Sequence, residues 1–144
     1  HRFFFPAPGK RLASWTVPGA WHSVNPLALR LGIRVFEENS RRVDILDCGR
    51  FGVCGYVAVG AFGLGRGVET HAAQCFDRME EKGYFSFGAS TLVLLVQGER
   101  IAFAADLLEN SALGLETRVR AGETLGVAAN RENTSKRELT HDGT

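Results

Sequence analysis

The sequence predicts a mainly β protein, α+β at most, folded as a curved β-barrel or sandwich. Its apolar runs are short, rich in β-branched and aromatic residues, and separated by glycine, proline or charged turns. The chain has 17 glycines, and many lie inside the strand-like runs, where they indicate bulges and close backbone approaches in a curved sheet. A chain of 144 residues is long enough to bury its own core as one domain.

Six runs carry the strand prediction. Each contains valine, isoleucine or an aromatic residue and is bounded by turn formers; they are residues 11–17, 41–48, 52–62, 91–97, 100–105 and 117–121. Between the fourth and the fifth run, Gly98 and Glu99 predict a tight hairpin whose first strand starts at Ser90 or Thr91.

One or two short helices are expected beside the strands. Residues 25–32 form one short candidate. Residues 71–83 place apolar side chains at helical spacing before Gly83, which would stop a helix; these side chains are Ala72, Cys75, Phe76 and Met79. For this second stretch, a helix and a non-helical structure stay equal alternatives.

Composition excludes several classes of partner. A net charge of +1 gives no reason to expect nucleic acid. The four histidines show no close ligand spacing, so no metal site is expected. Cys48, Cys54 and Cys75 follow no CxxC spacing and predict free thiols in a reducing compartment. No apolar run reaches the roughly 20 residues of a membrane helix. We therefore expect an intracellular protein without a transmembrane segment, cytoplasmic or peripheral on a membrane.

The polar end of the chain differs from the rest. From Asn130 onward all apolar periodicity is lost, which predicts a disordered polar tail over residues 130–144. The folded domain is therefore predicted to span residues 1–129.

Ser90 lies in the stretch "GYFSFGASTLVLLV", at the entrance of a strand-like run. A serine in this place is usually a turn residue that satisfies a backbone group. The small residues before it also leave the Ala89 carbonyl accessible to the Ser90 hydroxyl in a strained turn. Attack there would form an ester, and elimination followed by hydrolysis would cut the chain and leave a pyruvoyl group at residue 90.

Two segments with a glycine turn before a short strand lie near the two ends of the chain. Residues 6–17 and 119–129 resemble the two halves of the lipoyl and biotinyl carrier-type β-hybrid. The lysine-bearing tip of those carriers is absent, so a carrier role is not expected.

The order of motifs over residues 1–129 resembles the phosphatidylserine decarboxylase family. The matching segments are His1-Arg2, Val17-Pro18-Gly19 with Ser23-Val24-Asn25-Pro26, Glu38-Asn39-Ser40-Arg41, Val59-Gly60-Ala61, and Phe85-Ser86-Phe87-Gly88-Ala89-Ser90-Thr91. This resemblance implies a carboxy-lyase whose covalent pyruvoyl cofactor forms from Ser90 by autocatalytic cleavage of a zymogen. Its most expected reaction converts phosphatidylserine to phosphatidylethanolamine, with the substrate amine condensing on the ketone.

The resemblance also assigns roles to residues. The cleavage site would be Gly88, Ala89 and Ser90, which gives a β chain of residues 1–89 and an α chain of residues 90–129. Ser90 and His1 would be catalytic, because an imidazole has the pKa range needed to protonate a carbanion. The substrate-binding residues would be His1, His22, Ser23 and Asn25. The two chains would stay together, and a homodimer and peripheral membrane contact are further expectations.

Departures from the family pattern leave other functions open. Phe4 stands where the family has a second histidine that activates the serine, Ala89 replaces a glycine, and His22 replaces an apolar aromatic residue. The family's processing aspartate lies upstream of the matching segment. One alternative is a decarboxylase of a free, for example aromatic, amino acid such as tryptophan. The other is a non-catalytic homologue, defective in processing, that acts as a binding or structural module.

Overall fold

The computed structural model describes residues 1–23, 27, 30–61, 67–86 and 91–129. The chain divides into two compact units, His1–Val96 and Gln97–Thr144. The first unit contains β1 (Arg2–Phe4), β2 (Gly9–Val17), α1 (Val35–Glu38), β3 (Arg41–Asp47), a 3-10 turn (Gly49–Phe51), β4 (Val53–Val59), β5 (Val68–Glu69), β6 (Cys75–Phe76), β7 (Glu81–Tyr84) and β8 (Thr91–Val96). The second contains β9 (Ile101–Phe103), α2 (Ala105–Ala112) and β10 (Gly126–Ala128).

An antiparallel five-stranded sheet forms the larger part of the first unit. Its strand order is β6-β2-β3-β4-β8. Because side chains alternate between the faces of a strand, Asp44 and Leu46 of β3 point to the same buried face. Tyr56 lies opposite Asp44 on β4 and is buried on that face as well.

A second, three-stranded sheet of order β1-β7-β5 belongs to the same unit. Phe3 of β1 packs in one core cluster with Leu46 and Tyr56 of the larger sheet. Phe5 follows β1 and stacks on Phe76 of β6, with ring centroids 3.8 Å apart and planes inclined by 5°. The aromatic side chains after and within β1 therefore join the two sheets.

The second unit consists of one antiparallel pair of strands and one helix. β9 pairs antiparallel with β10, and the Ala104 amide donates to the Leu125 carbonyl at 2.9 Å. Gly122 has φ +85° in the turn before β10, the left-handed conformation that glycine adopts without steric cost.

The mainly β class and the presence of short helices are confirmed. Within the described residues, the sheets do not close into a barrel. The first four predicted strands are present as β2, β3, β4 and β8, and the fifth contains the shorter β9. The strand predicted over residues 117–121 is wrong, because these residues are irregular and mostly exposed.

The predicted hairpin at Gly98 forms as a turn only. Glu99 takes φ 64° there, but β8 pairs with β4 while β9 pairs with β10. The predicted turn is therefore present, but the predicted pairing of the two strands beside it is wrong. Strand pairing is decided by partners distant in sequence.

A helix over residues 71–83 is wrong. Only Phe76 of its apolar side chains is buried, because β6 pairs with β2 and Phe76 stacks on Phe5. Met79 has φ 66°, which ends any helix at that point. Long-range pairing therefore overrides the helical spacing.

Some predicted features lie outside the described residues. These are most of the helix over residues 25–32, Asn25, residues 87–90 with Gly88, Ala89 and Ser90, and the tail over residues 130–144. The division of the chain into a 1–129 domain and a tail stays a prediction, as does the likeness to a β-hybrid.

Gly83 of β7 tests the packing of the two sheets. A Cβ added there would lie 2.2 Å from the Val68 carbonyl oxygen and 2.8 Å from Cζ of Phe3. Gly83→Ala should therefore lower the free energy of unfolding of the first unit by about 1–3 kcal/mol, measured by urea titration. Gly55→Ala is the matched control, because its Cβ would meet Leu95 Cβ at an ordinary 3.4 Å. Equal stability of the two variants would contradict the packing.

The buried thiols give a second test of the core. Cys48, Cys54 and Cys75 are all free, and Cys48 and Cys54 are each only 2% exposed. Burial, with the neighbouring Cys54, raises the pKa of Cys48 to about 12, so its reactive thiolate is scarce at pH 8. Iodoacetamide at pH 8 should label exposed Cys75 in the native protein and the other two only in denaturant. Equal labelling rates at all three cysteines would contradict the described core.

Candidate functional site

The start of the chain is fixed beside the predicted processing segment. The His1 amino group donates to the Phe85 carbonyl at 2.9 Å, and the Phe85 amide donates to the His1 carbonyl at 2.7 Å. Beyond the segment, Thr91 opens β8 and pairs with Val59 of β4. The described neighbours of residues 87–90 are thus held by the start of β1 on one side and by the end of β4 on the other.

His1 and Phe4 differ in what they offer near this segment. His1 is exposed, so its imidazole is open to a substrate. Phe4 lies in β1 opposite Glu81, and its carbonyl accepts a hydrogen bond from Tyr56 Oη at 3.3 Å. Burial and the Asp44 carboxylate raise the pKa of Tyr56, which keeps the phenol protonated at neutral pH.

Buried Asn39 holds the loop that carries His22. The side-chain Oδ1 of Asn39 accepts from the His22 backbone amide at 2.8 Å, and its side-chain Nδ2 donates to the backbone carbonyls of His22 at 2.8 Å and Gly60 at 2.7 Å. A buried side chain with its polar atoms satisfied fixes the backbone that it bonds. Asn39 therefore joins three motif segments that are separate in the sequence.

The loop places its side chains at the end of β4. Cζ3 of Trp21 would lie 2.6 Å from a Cβ on Gly60, so only glycine allows this approach. The His22 imidazole Nε2 lies 3.3 Å from the Glu38 carboxylate. Ser23 is exposed in the same loop. The structure therefore brings His22 and Ser23 near the β4 end, while His1 lies at the start of β1.

A cluster of buried charges lies between the two sheets. Lys82 Nζ contacts the Asp44 carboxylate at 2.6 Å and donates to Glu69 at 3.0 Å. Lys82 and Asp44 are each 1% exposed at their side chains, so these charges are compensated by each other and not by water. Arg11 and Arg42 contact both carboxylates. We call these five residues the ionic cluster.

Aromatic rings surround the Lys82 ammonium group. Its nitrogen lies 5.3 Å from the ring centre of Tyr56, 5.8 Å from that of Phe5 and 5.9 Å from that of Phe3. Cation–π attraction within about 6 Å adds to the ion pairs. The lysine stem can therefore cross the aromatic core while its charge stays paired.

A cavity of about 140 Å³ opens beside the ionic cluster. Its charged walls are Arg41, Arg42, Glu69 and Lys82, and further walls include Phe3, Thr16, Trp21, Ser40 and Gly60. The cavity therefore touches β1, which begins after His1, and Gly60, which follows the Val59 partner of Thr91.

Sequence reasoning missed the ionic cluster completely. Asp44 lies inside the strand predicted over residues 41–48, where Arg42, Asp44 and Leu46 share one face by alternation. A charge on the face that also carries a core leucine was the available signal. Lys82 carries no such signal, because it lies in residues 71–83, whose apolar side chains have helical spacing.

Two classes of site find no support among the described residues. No group of three or more histidine, cysteine, aspartate or glutamate side chains lies where it could hold a metal ion, in the part of the chain that the structure describes. Nor does any helix of that part have the length and apolar character needed to cross a membrane.

The fold and the site together define a β domain with a paired N-terminal strand and a charged cavity between its two sheets. The family model for phosphatidylserine decarboxylase matches residues 1–127. The chain belongs to the phosphatidylserine decarboxylase family, as the order of its motifs predicted. No solved structure matches it.

Three bacterial relatives illustrate the match. The phosphatidylserine decarboxylase proenzyme of Chlamydia muridarum (strain MoPn / Nigg) is 42% identical over 127 residues. The proenzymes of Chlamydia trachomatis serovar L2 and Chlamydia pneumoniae are 44% and 42% identical. Each match covers 88% of this chain and 42% of the relative. The chain thus spans about two fifths of the length of these relatives.

Asn39 offers a direct test of the site geometry. Asn39→Ala removes the side-chain acceptor of the His22 amide and leaves the Gly60 carbonyl unsatisfied, which should cost about 1–3 kcal/mol of unfolding free energy. In hydrogen exchange followed by mass spectrometry, the peptide with residues 20–23 should exchange at least about tenfold faster, since lost protection of 1.4 kcal/mol is a factor of ten. Asn110→Ala, which removes one bond to Thr117, is the control and should leave that peptide unchanged. Unchanged exchange in Asn39→Ala would contradict the described loop.

Proposed function

We propose that the protein is a pyruvoyl-dependent phosphatidylserine decarboxylase that cleaves itself between Ala89 and Ser90. The observation that supports this most is the family match over residues 1–127, combined with the anchoring of both neighbours of residues 87–90. Phe85 is held by two hydrogen bonds to His1, and Thr91 is held in the sheet by Val59. Fixing the residues on either side of a reacting hydroxyl and carbonyl lowers the entropic part of the barrier.

The self-cleavage balances without an outside oxidant. The Ser90 hydroxyl attacks the Ala89 carbonyl carbon, the peptide C–N bond breaks, and an ester joins the two residues. Elimination releases the Ala89 carboxylate and leaves dehydroalanine at residue 90. Addition of water then expels ammonia and leaves the pyruvoyl ketone. The residues present in the segment fit this step, because Gly88 and Ala89 add little bulk beside the reacting carbonyl.

The pyruvoyl group supplies an electrophilic ketone that binds the substrate amine and accepts the electron pair left by carbon dioxide. The chain's own residues then have two tasks. His1, exposed beside the segment, protonates the carbon that loses the carboxylate. His22 and Ser23 contact the substrate from the loop before α1, and Asn25 is a further substrate contact.

Phe4 takes the place of a proton-accepting side chain, so the base that activates Ser90 comes from outside β1. We propose that it is supplied by the part of the protein that the relatives have beyond the matched 42% of their length. This accounts for a chain that keeps the serine at residue 90 while β1 carries a phenylalanine in place of a base.

A phospholipid substrate is favoured over a free amino acid. The relatives are named phosphatidylserine decarboxylase proenzymes, and none of these names refers to an amino acid. Peripheral membrane contact would suit the second unit, where Leu108, Leu113 and Leu115 are 55%, 73% and 58% exposed. The β and α chains would stay associated, because β8 pairs with β4 across the cleavage point. A homodimer stays a prediction.

Intact mass under denaturing conditions tests this proposal, using the protein as its gene encodes it. We expect two chains that meet between Ala89 and residue 90, the second lighter by one ammonia than a serine-ended chain. The Ser90→Ala variant should give one uncut chain. Decarboxylation of phosphatidylserine in mixed micelles should accompany cleavage and be absent in the variant.

A single uncut chain in the wild type, identical in behaviour to Ser90→Ala, would contradict the proposal. His1→Gln separates the two steps at matched size and polarity. It should still cleave, while decarboxylation falls by about 10²–10⁴-fold, the usual contribution of a general acid. Full activity of cleaved His1→Gln would remove His1 from the mechanism.

A further inference from the structure

The ionic cluster carries an excess of positive charge. The guanidinium groups of Arg11 and Arg42 and the ammonium group of Lys82 face two carboxylates, Asp44 and Glu69. Arg41 adds a further cation to the cavity wall. Its guanidinium donates to backbone carbonyls, those of Glu37 at 2.8 Å and Asn39 at 3.1 Å. The cavity and its surroundings therefore carry two more positive than negative groups.

Donor capacity is also left over. The buried Nε atoms of Arg11 and Arg42 form no hydrogen bond within the described residues, although they lie 3.4 Å and 3.7 Å from the Asp44 carboxylate. Arg42 lies in the cavity wall and its side chain is 37% exposed, so a solute in the cavity can reach it. The exposed part of the Arg42 guanidinium can donate hydrogen bonds to an oxyanion, the kind of partner that a guanidinium binds most strongly.

The dimensions of the cavity limit what enters it. Its volume of about 140 Å³ equals the space of four or five water molecules at roughly 30 Å³ each. This is below the roughly 300–1,000 Å³ of a pocket for a drug-sized ligand. The cavity therefore suits one small anionic group, with hydroxyls of Thr16 and Ser40 in its wall, and excludes acyl chains.

We propose that this cavity binds the phosphodiester of the substrate head group, through Arg42 with Lys82 and Arg41. The inference rests on the proposed function for the identity of the substrate. The alternative anion on the same molecule is its carboxylate, which leaves as neutral carbon dioxide. Cations on the carboxylate would stabilise the ground state more than the transition state and slow the reaction. The phosphate keeps its charge throughout, so its binding energy positions the substrate without this cost.

Placement beside the processing segment supports the assignment. The cavity wall contains Phe3, two residues after His1, and Gly60, next to the Val59 partner of Thr91. A head group held here by its phosphate lies near the start of β1 and near the end of β4 that pairs with Thr91. Free serine or tryptophan lacks the second anion and gains nothing from the cavity.

Binding to the uncleaved Ser90→Ala protein tests the proposal without any chemistry. The probes are glycerophosphoethanolamine, which has the phosphodiester and no carboxylate, and ethanolamine, which has neither; affinity is measured by titration calorimetry. Arg42→Gln should weaken glycerophosphoethanolamine at least about tenfold, since a hydrogen bond to a charged group contributes about 1.5–3 kcal/mol. Ethanolamine should bind equally to all variants. Arg42→Lys keeps the charge without the paired donors and should fall between.

Arg34→Gln is the matched control. Arg34 is paired with a glutamate, Glu37, as Arg42 is with Glu69, but it is not among the cavity walls given above. This variant changes net charge equally and should bind glycerophosphoethanolamine as the parent does. Equal loss in Arg34→Gln and Arg42→Gln would reduce the effect to general electrostatics and overturn the proposal.

Turnover by the cleaved protein separates this inference from the proposed function. Arg42→Gln should raise KM for phosphatidylserine in micelles and for glycerophosphoserine alike, which assigns the effect to the phosphodiester and not to the lipid surface. A change with micelles alone would overturn the phosphodiester site. If Arg42→Gln cleaves itself, is active and binds glycerophosphoethanolamine with unaltered affinity, this inference is overturned and the proposed function stays intact. Absence of cleavage, with Arg42-dependent binding of glycerophosphoethanolamine, would overturn the function and keep the anion site.

Discussion

The buried ion pair of Lys82 and Asp44 is the constraint on which the rest of the first unit depends. Lys82 belongs to the three-stranded sheet and Asp44 to the five-stranded sheet, and both side chains are 1% exposed. Removing one partner of such a pair costs about 3–5 kcal/mol, because the other charge stays buried without compensation. The pair therefore links the two sheets through a buried contact, beside the aromatic core that also joins them.

Several features of the site follow from that junction. Holding β7 against β3 positions β1, and β1 positions His1 beside Phe85. The same junction leaves a small charged cavity where the two sheets separate. One cluster can contain both a structural ion pair and a cation that binds a ligand, provided that its cations outnumber its carboxylates. Here the carboxylates hold the cations in place, and the excess charge faces the cavity.

The sequence predicted the features that depend on local pattern. The strands β3 and β4 and the turn at Gly98 agree with the prediction, because β-branched content and turn chemistry favour the structures that form there. The family resemblance is the source of the roles proposed for Ser90 and His1. The ionic cluster could not be found this way, since its partners come from four strands, and Phe76 pairs with β2 despite the helical spacing around it. Contacts between residues distant in sequence decide both the ionic cluster and the pairing of Phe76. A single sequence read without its relatives carries no record of such contacts.

The most direct measurement of the central claim is a crystal structure of the self-cleaved protein with glycerophosphoethanolamine captured by cyanoborohydride. This reagent reduces the linkage between the amine and the ketone of residue 90 and so keeps the head group in place. We expect phosphorus within hydrogen-bonding reach of the Arg42 guanidinium, with Lys82 and Asp44 still paired behind it. An intact serine at residue 90, or a captured head group whose phosphate points away from the cavity, would contradict it.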